Sequence, residues 1–231
     1  MKNIAVLTGA GMSAESGLST FRDAGGLWEQ HRVEDVATPE GFMRNPEMVL
    51  NFYNERRKQL LAAKPNAGHY ALAELEKDFE VHIITQNIDN LHERAGSRHV
   101  VHLHGELMKV RSTGPGQEVY ELSPDHLEIH VGDKCPKGYQ LRPHVVWFGE
   151  PVPEIEKAIE IVSEADIFVI IGTSMQVYPA AGLIHYVKPG TPIFLIDPKE
   201  VNITSSNVTV IQKGASEGTK ELLEILKKYK E

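Results

Sequence analysis

With 231 residues, the chain can bury one sizeable core and still carry a smaller appended module, and its apolar runs are too short to cross a bilayer. A formal net charge of −8 argues against a general nucleic-acid binder and favours basic peptides or proteins as partners. Cys135 is the only cysteine, which excludes an internal disulfide, and the apolar run after Met1-Lys2 stops at Gly9, too soon for a signal peptide. A cytoplasmic protein with no membrane partner is therefore expected.

The chain opens on an apolar strand pattern, Ile4-Ala5-Val6-Leu7, that runs directly into GAGMSAESG (9–17). Gly9 suits the sharp turn off the strand and Gly11 a close backbone approach to a phosphate, while Ala14 takes the third small position of a dinucleotide fingerprint. The N–H groups of the following helix would then face a pyrophosphate. An ordinary dinucleotide fold adds a second strand ending in an acid about twenty residues on. Residues 24–45 show no strand pattern, so a long loop over the cofactor is expected instead.

Helices are expected over 47–63, stopped by Pro65, and over 66–77, where Ala67, Tyr70, Ala71 and Leu75 recur at helical spacing. Buried-type strands follow at 81–85 and 99–103, with a short helix over 87–95 ended by Gly96. Residues 111–142 lose this rhythm to Gly, Pro, Ser and charge, with short alternations at 119–122 and 127–129, and read as an inserted module. The rhythm returns with 145–148, a helix over 153–164, a strand at 167–171, a helix over 180–187, strands at 192–196 and 208–211, and an amphipathic helix over 218–230 facing Leu222, Leu223 and Leu226 inward. This is an α/β pattern: a doubly wound, Rossmann-like parallel sheet from 1–35, 68–110 and 143–231, with a small module from 36–67 and 111–142.

Polar clusters fall where candidate strands end, the place where ligands bind in open α/β sheets. They are the opening loop continued by Ser19-Thr20-Phe21-Arg22-Asp23, then Gln86-Asn87-Ile88-Asp89, His102-Leu103-His104-Gly105, Gly172-Thr173-Ser174, and Asp197. Singly, each is compatible with turn chemistry. Together they describe a site along one sheet edge.

Five segments in order, GAGMSAESGLSTFRD (9–23), TQNIDNLHERAG (85–96), HLHGEL (102–107), RPHVVWFGE (142–150) and GTSMQVYPA (172–180), resemble the motifs of the sirtuins, the family of NAD-dependent protein-lysine deacylases. The resemblance spans nearly the whole chain and implies transfer of a lysine acyl group to the ADP-ribose part of NAD, with release of nicotinamide. The acyl oxygen attacks the anomeric carbon, and His104 acts as general base on a ribose hydroxyl, a task suited to an imidazole. His99 and His102 lack that motif support and read as structural. By the same resemblance Asn87 lies near the reacting ribose as donor and acceptor, and Asp89 accepts from the nicotinamide amide. The cofactor set implied is Gly9, Ala10, Gly11, Ser13, Ala14, Glu15, Phe21, Arg22, Trp28, Gln86, Asn87, Ile88, Asp89, Gly172, Thr173, Ser174, Asp197 and Ala215. Asp197 stands where an Asn is usual in the family, and Ser19 where a Pro is common.

Acylated lysines of proteins are the implied partners, lying as an added strand between 145–148 and 175–178, with Val146, Phe148, Gly149 and Val177 as substrate contacts. Tyr53 and Arg56, three apart on a helix, match the pair of the sirtuin branch that removes acidic acyl groups. An Arg fork beside a phenol holds a terminal carboxylate, as succinyl- or malonyl-lysine presents. Most sirtuins carry four zinc-binding cysteines in the small module. Here only Cys135 stands, with Ser112 near the start of the first pair and His126 and His130 four apart, so no zinc is expected. Three alternatives use parts of the same pattern: a mono-ADP-ribosyltransferase or NAD hydrolase, a non-catalytic NAD-sensing protein, and a hydride-transferring dehydrogenase.

Overall fold

The computed structural model describes residues 1–18, 31–123, 125–199 and 207–230. Strands β1 (Asn3–Thr8), β2 (Glu80–Thr85) and β3 (Val100–His102) join β7 (Ile167–Ile171), β8 (Ile193–Ile196) and β9 (Val208–Ile211) in one parallel sheet of order β3-β2-β1-β7-β8-β9. The central strands β1, β7 and β8 are formed by apolar runs because both faces are covered there. Ile4, Val6, Ile83 and Val169 point one way, and Ala5, Leu7, Ile84 and Ile170 the other. On the first face lie helices α5 (Ala67–Leu75), through Leu72 and Leu75, and α8 (Ala215–Leu226), through Leu222 and Leu226. Leu223 is only partly buried there. On the second lie α7 (Ile155–Glu164) and a 3-10 helix, Ala180–Tyr186, which takes the place of the helix expected over 180–187. The strand order reverses between β1 and β7, and the chain is doubly wound about that point.

Beyond Gly9 come α1 (Ala10–Ala14), then α2 (Val33–Val36), α3 (Pro39–Arg44) and α4 (Pro46–Ala62). The described part of the expected 24–45 loop is thus partly helical. Thr38 and Asn45 cap α3 and α4 with their side chains, and a proline follows each cap at the first helical position, where no N–H is needed. The expected helix over 87–95 shrinks to α6 (Leu91–Ala95), because 86–89 bond to neighbouring loops instead, and Gly96 ends it in the left-handed conformation as expected.

A second, antiparallel sheet has order β5-β4-β6, from β4 (Gly105–Ser112), β5 (Val119–Glu121) and β6 (Leu141–Val145). Its strands extend past the expected insertion at both ends, and Val145 belongs to it rather than to the parallel sheet. Residues 127–129 form no strand. The Asn54 side chain instead mimics a strand partner, donating to the Ile129 carbonyl and accepting from its N–H, both at 3.0 Å. Phe52, Tyr53, Leu60, Leu91, Leu107, Val145 and Trp147 form the core between the small sheet and α4.

In the small module Ser112 Oγ and Cys135 Sγ are 3.4 Å apart, Gly114 N–H donates to Ser112 Oγ, and Cys135 N–H donates to Tyr139 O at 2.8 Å. One thiol and one hydroxyl do not fit a four-ligand zinc, and among the described residues no three His, Cys, Asp or Glu are placed to hold a metal ion. The turn closes through direct hydrogen bonds. No helix among the described residues is long and apolar enough to cross a membrane.

Candidate active site

The loops leaving β1 and β7 cross at the point of strand reversal with their backbones in contact. Gly9 N–H donates to Ile171 O at 3.0 Å and Gly11 N–H to Gly172 O at 2.9 Å. A Cβ on Gly11 would sit 2.7 Å from Gly172 Cα, and one on Gly172, at φ +61°, would sit 2.5 Å from Gly11 C. Gly11 is therefore also required to be small by the crossing itself, a constraint beyond the phosphate approach expected of it. The expected row of free helix N–H groups is also shorter, since Gly11 N–H goes to Gly172 and Met12 N–H to Gly9 O.

From the end of β2, Gln86 N–H donates to Thr8 O, its side-chain amide donates to Thr173 Oγ1 at 3.0 Å, and its carbonyl accepts from His104 Nδ1 at 3.0 Å. One residue thereby ties three strand ends together. Asn87 Nδ2 donates to Gly9 O at 2.9 Å and to Ser13 Oγ at 3.3 Å. Both amide hydrogens are spent, so Asn87 offers the site an acceptor, Oδ1, and not the donor expected alongside it. Ser13 Oγ donates to Asp89 Oδ2 at 2.9 Å, and Leu91 N–H donates to Asp89 Oδ1 at 3.0 Å. Burial raises the Asp89 pKa against those two bonds.

A carbonyl only accepts, so His104 carries its proton on Nδ1 and leaves the Nε2 lone pair for chemistry. Burial lowers its pKa, opposed by the Gln86 bond, and keeps the ring neutral at neutral pH. His102 sits between two acceptors, Asn87 O at 3.1 Å and Glu93 Oε1 at 2.7 Å. Burial opposes its charge, yet the Glu93 carboxylate prevails and its pKa is raised. His102 is structural, as expected, and what it holds is the Asn87 turn.

A cavity of about 30 Å³ is lined by Ser13, Asn87, Ile88, Asp89, Ala10 and Arg56. Tyr53, 3% exposed, and Arg56 lie one turn apart on α4, and burial pushes the Tyr53 hydroxyl up to about 12. Burial lowers the Arg56 pKa, opposed by Tyr53 and Asp89, but the guanidinium stays charged. Thr173 Oγ1 accepts from Met175 N–H as well as from Gln86, and Asp197, ending β8, folds back on Lys199 N–H at 2.8 Å. Ala215 is buried at the start of α8, and Glu15 Oε1 accepts from Ser216 N–H at 3.2 Å, capping that helix. Val146 N–H donates to His104 O at 2.9 Å, and Phe148, 54% exposed, donates its N–H to Ala37 O at 3.0 Å. Gly149 follows at φ +90°, and Val177 O accepts from Ala181 N–H. Ala14 ends α1, and Ser174 lies in the β7 loop beside Thr173. Ser19, Thr20, Phe21, Arg22, Asp23 and Trp28 lie outside the described residues.

Gly9 to Glu15, 86–89, 172–174, Asp197 and Ala215 are thus strung along the carboxyl edge of adjacent parallel strands. The donor set fits a dinucleotide: a backbone crossing at the switch point, a buried carboxylate for an amide, and a neutral imidazole two residues beyond β3. Sequence reasoning gave no role to Thr85, whose Oγ1 accepts from Asn87 N–H at 3.0 Å, or to Trp147 and Glu150, which pack behind Tyr53. All three stand in the quoted motifs, and nothing in the spacing says what they touch.

The family model described as the Sir2 family matches residues 9–179. A protein of Bacteroides thetaiotaomicron named NAD-dependent protein deacylase is 64% identical over 98% of this chain and 98% of its own. The solved ADP-ribose complex of a Sir2 homologue, a point mutant, superposes with a TM-score of 0.90 at 42% identity, covering 99% of this chain and 93% of that one. A Sir2 homologue–NAD complex superposes at 0.88 and 41% identity, covering 100% and 91%. On sequence and fold alike, the chain belongs to the Sir2 family.

Proposed function

We propose that this chain, an NAD-dependent protein deacylase, removes succinyl and malonyl groups from protein lysines in preference to acetyl, releasing nicotinamide and O-acyl-ADP-ribose. NAD supplies a ribose carbon made electrophilic by the departing nicotinamide. His104 supplies the base, with Nε2 left bare by the Gln86 carbonyl and neutral at working pH. Asn87, its amide hydrogens spent on Gly9 and Ser13, presents Oδ1 as an acceptor, and the Asp89 carboxylate is available to accept from an amide.

One observation supports the acidic-acyl preference above all. Arg56 lines the small cavity with Asn87 and Asp89, and Tyr53, a neutral buried phenol, lies one turn away on the same helix. A charged guanidinium held in a desolvated wall beside a hydroxyl suits a carboxylate better than a methyl group. A cytoplasmic enzyme with no nucleic-acid or membrane partner is part of the same reading, supported by the single cysteine and the charge of −8.

Arg56→Ala tests the preference. We expect kcat/KM on succinyl-lysine peptide to fall about 100-fold, the loss of one charge-assisted pair, with acetyl-lysine changed only about two- to threefold. Equal losses on both substrates would defeat the preference and leave the deacylase intact.

A further inference from the structure

Tyr53 is read above as one half of the acyl-carboxylate site, yet a phenol can present either its proton or its lone pairs to a ligand. The structure decides between them. Trp147 Nε1 lies 2.8 Å from Tyr53 Oη, both residues being almost fully buried. An indole N–H can only donate, so the Tyr53 oxygen accepts there and its O–H points elsewhere. Among the described residues no acceptor bonds that proton.

Trp147 is itself clamped. The Arg142 guanidinium stacks 3.3 Å from its ring centroid, and Phe42 packs at 5.4 Å between centroids. Arg142 Nη1 donates to Glu150 Oε1 at 2.7 Å and its Nη2 donates to Val145 O at 2.9 Å. Glu150 in turn accepts from Arg111 Nη2 at 2.8 Å and from Trp147 N–H at 2.8 Å. The indole is thus held by its backbone, by one face and by its edge.

Resting on the acidic-acyl reading, we infer that Trp147 is a specificity-determining positioning residue: its N–H takes a lone pair of the Tyr53 oxygen and turns the O–H away from the indole, so that the phenol presents its proton, which favours an anionic acyl end. Lysine acyl groups ending in a carboxylate are stabilised by that donor. Groups ending in a methyl gain nothing from it. The Arg111–Glu150–Arg142 cluster fixes the indole and links the small sheet to acyl selection.

The test is a double-mutant cycle of Trp147→Phe and Tyr53→Phe, assayed with succinyl- and acetyl-lysine peptides at saturating NAD, with thermal unfolding of each variant. Trp147→Phe removes the N–H and keeps an aromatic ring. We expect it to raise KM for the succinyl peptide about three- to tenfold, the worth of one hydrogen bond, while leaving KM for the acetyl peptide and both kcat values within about twofold. In the Tyr53→Phe background the same change should have no further effect on succinyl KM. Equal losses on both peptides, or a Trp147 effect that persists without the Tyr53 hydroxyl, would overturn the inference and mark Trp147 as packing alone. If Tyr53→Phe selectively harms succinyl activity and Trp147→Phe does not, the inference fails while the acidic-acyl reading stands. If wild-type protein shows no preference for the acidic peptide, that reading fails first.

Discussion

At the scale of single residues, the chemistry depends on which atom holds a proton. Nδ1 of His104 is committed to Gln86 O, and burial holds the ring's pKa below the usual histidine value of about 6.5. The base form is therefore full through neutral pH, and kcat should stay level there and fall only on the acid side of about 6.5 as Nε2 takes up a proton. His104→Ala should lower kcat by about 10²- to 10⁴-fold with little change in NAD binding by calorimetry. His104 was singled out by its motif, HLHGEL (102–107). Asn87 was legible only by half: its identity came from the sequence, but the commitment of both its hydrogens to Gly9 and Ser13 came from a loop crossing that no local pattern encodes. His102 looked idle in the sequence for the same reason, since its two partners are 9 and 15 residues away.

Among the elements, α4 carries the most varied duties. Its outer turns line the site through Arg56, while Asn54 and Arg57 face inward and do the work of a missing strand. Asn54 bonds both backbone groups of Ile129, Arg57 Nη1 donates to Asn54 Oδ1 at 2.6 Å, and Arg57 Nε donates to Leu107 O at 2.9 Å. Asn54→Ala strands these buried groups, and we expect a loss of about 2 to 4 kcal/mol of unfolding free energy by urea denaturation, with the small module loosened first by hydrogen exchange. Periodicity revealed α4 and α5 to within a few residues, because their apolar faces repeat and Asn45 and Asn66 cap them. The alternation at 127–129 left open what it pairs with, because such a triplet suits a strand or one amide side chain equally well. Periodicity missed α2 and α3, each six residues or fewer and too short to show a period.

Over the whole molecule, the parallel sheet was the most legible feature. Strands buried on both faces must be largely apolar; β7 and β8 are so throughout, and β1 is from Ile4 to Leu7. The second sheet was less so, because β4 and β6 continue through residues that the motifs HLHGEL and RPHVVWFGE also occupy, and function there obscures the strand pattern. Beneath the site the sheet is braced by a buried polar column. Thr8 Oγ1 donates to Thr85 Oγ1 at 2.8 Å and accepts from His92 Nε2 at 3.1 Å, and the His92 ring packs on His69 at 4.8 Å between centroids. His69 Nδ1 accepts from Asn66 N–H at 3.2 Å, so the ring must be neutral. Burial lowers the His69 pKa to about 4 and drives that of His92 well below its ordinary value. Both folded values are depressed, so on acidification the unfolded chain takes up these protons first. Stability should therefore decline as pH falls from about 6.5 towards 4, with His69 alone contributing on the order of 3 kcal/mol by the lower limit. Urea unfolding at stepped pH measures it, and His69→Gln, which still offers an acceptor, should flatten the slope. A slope unchanged by the substitution would assign the acid sensitivity to other groups.

The proposed reaction requires a dinucleotide lying along the strand ends beside His104. The most direct measurement is to incubate purified protein with acetyl-, malonyl- and succinyl-lysine peptides, with and without NAD, and to weigh every product. We predict one nicotinamide and one O-acyl-ADP-ribose for each lysine freed, most from the acidic peptides, and no reaction without NAD. Lysine freed equally well in the absence of NAD, or ADP-ribose carried onto the peptide with the acyl group still in place, would contradict it.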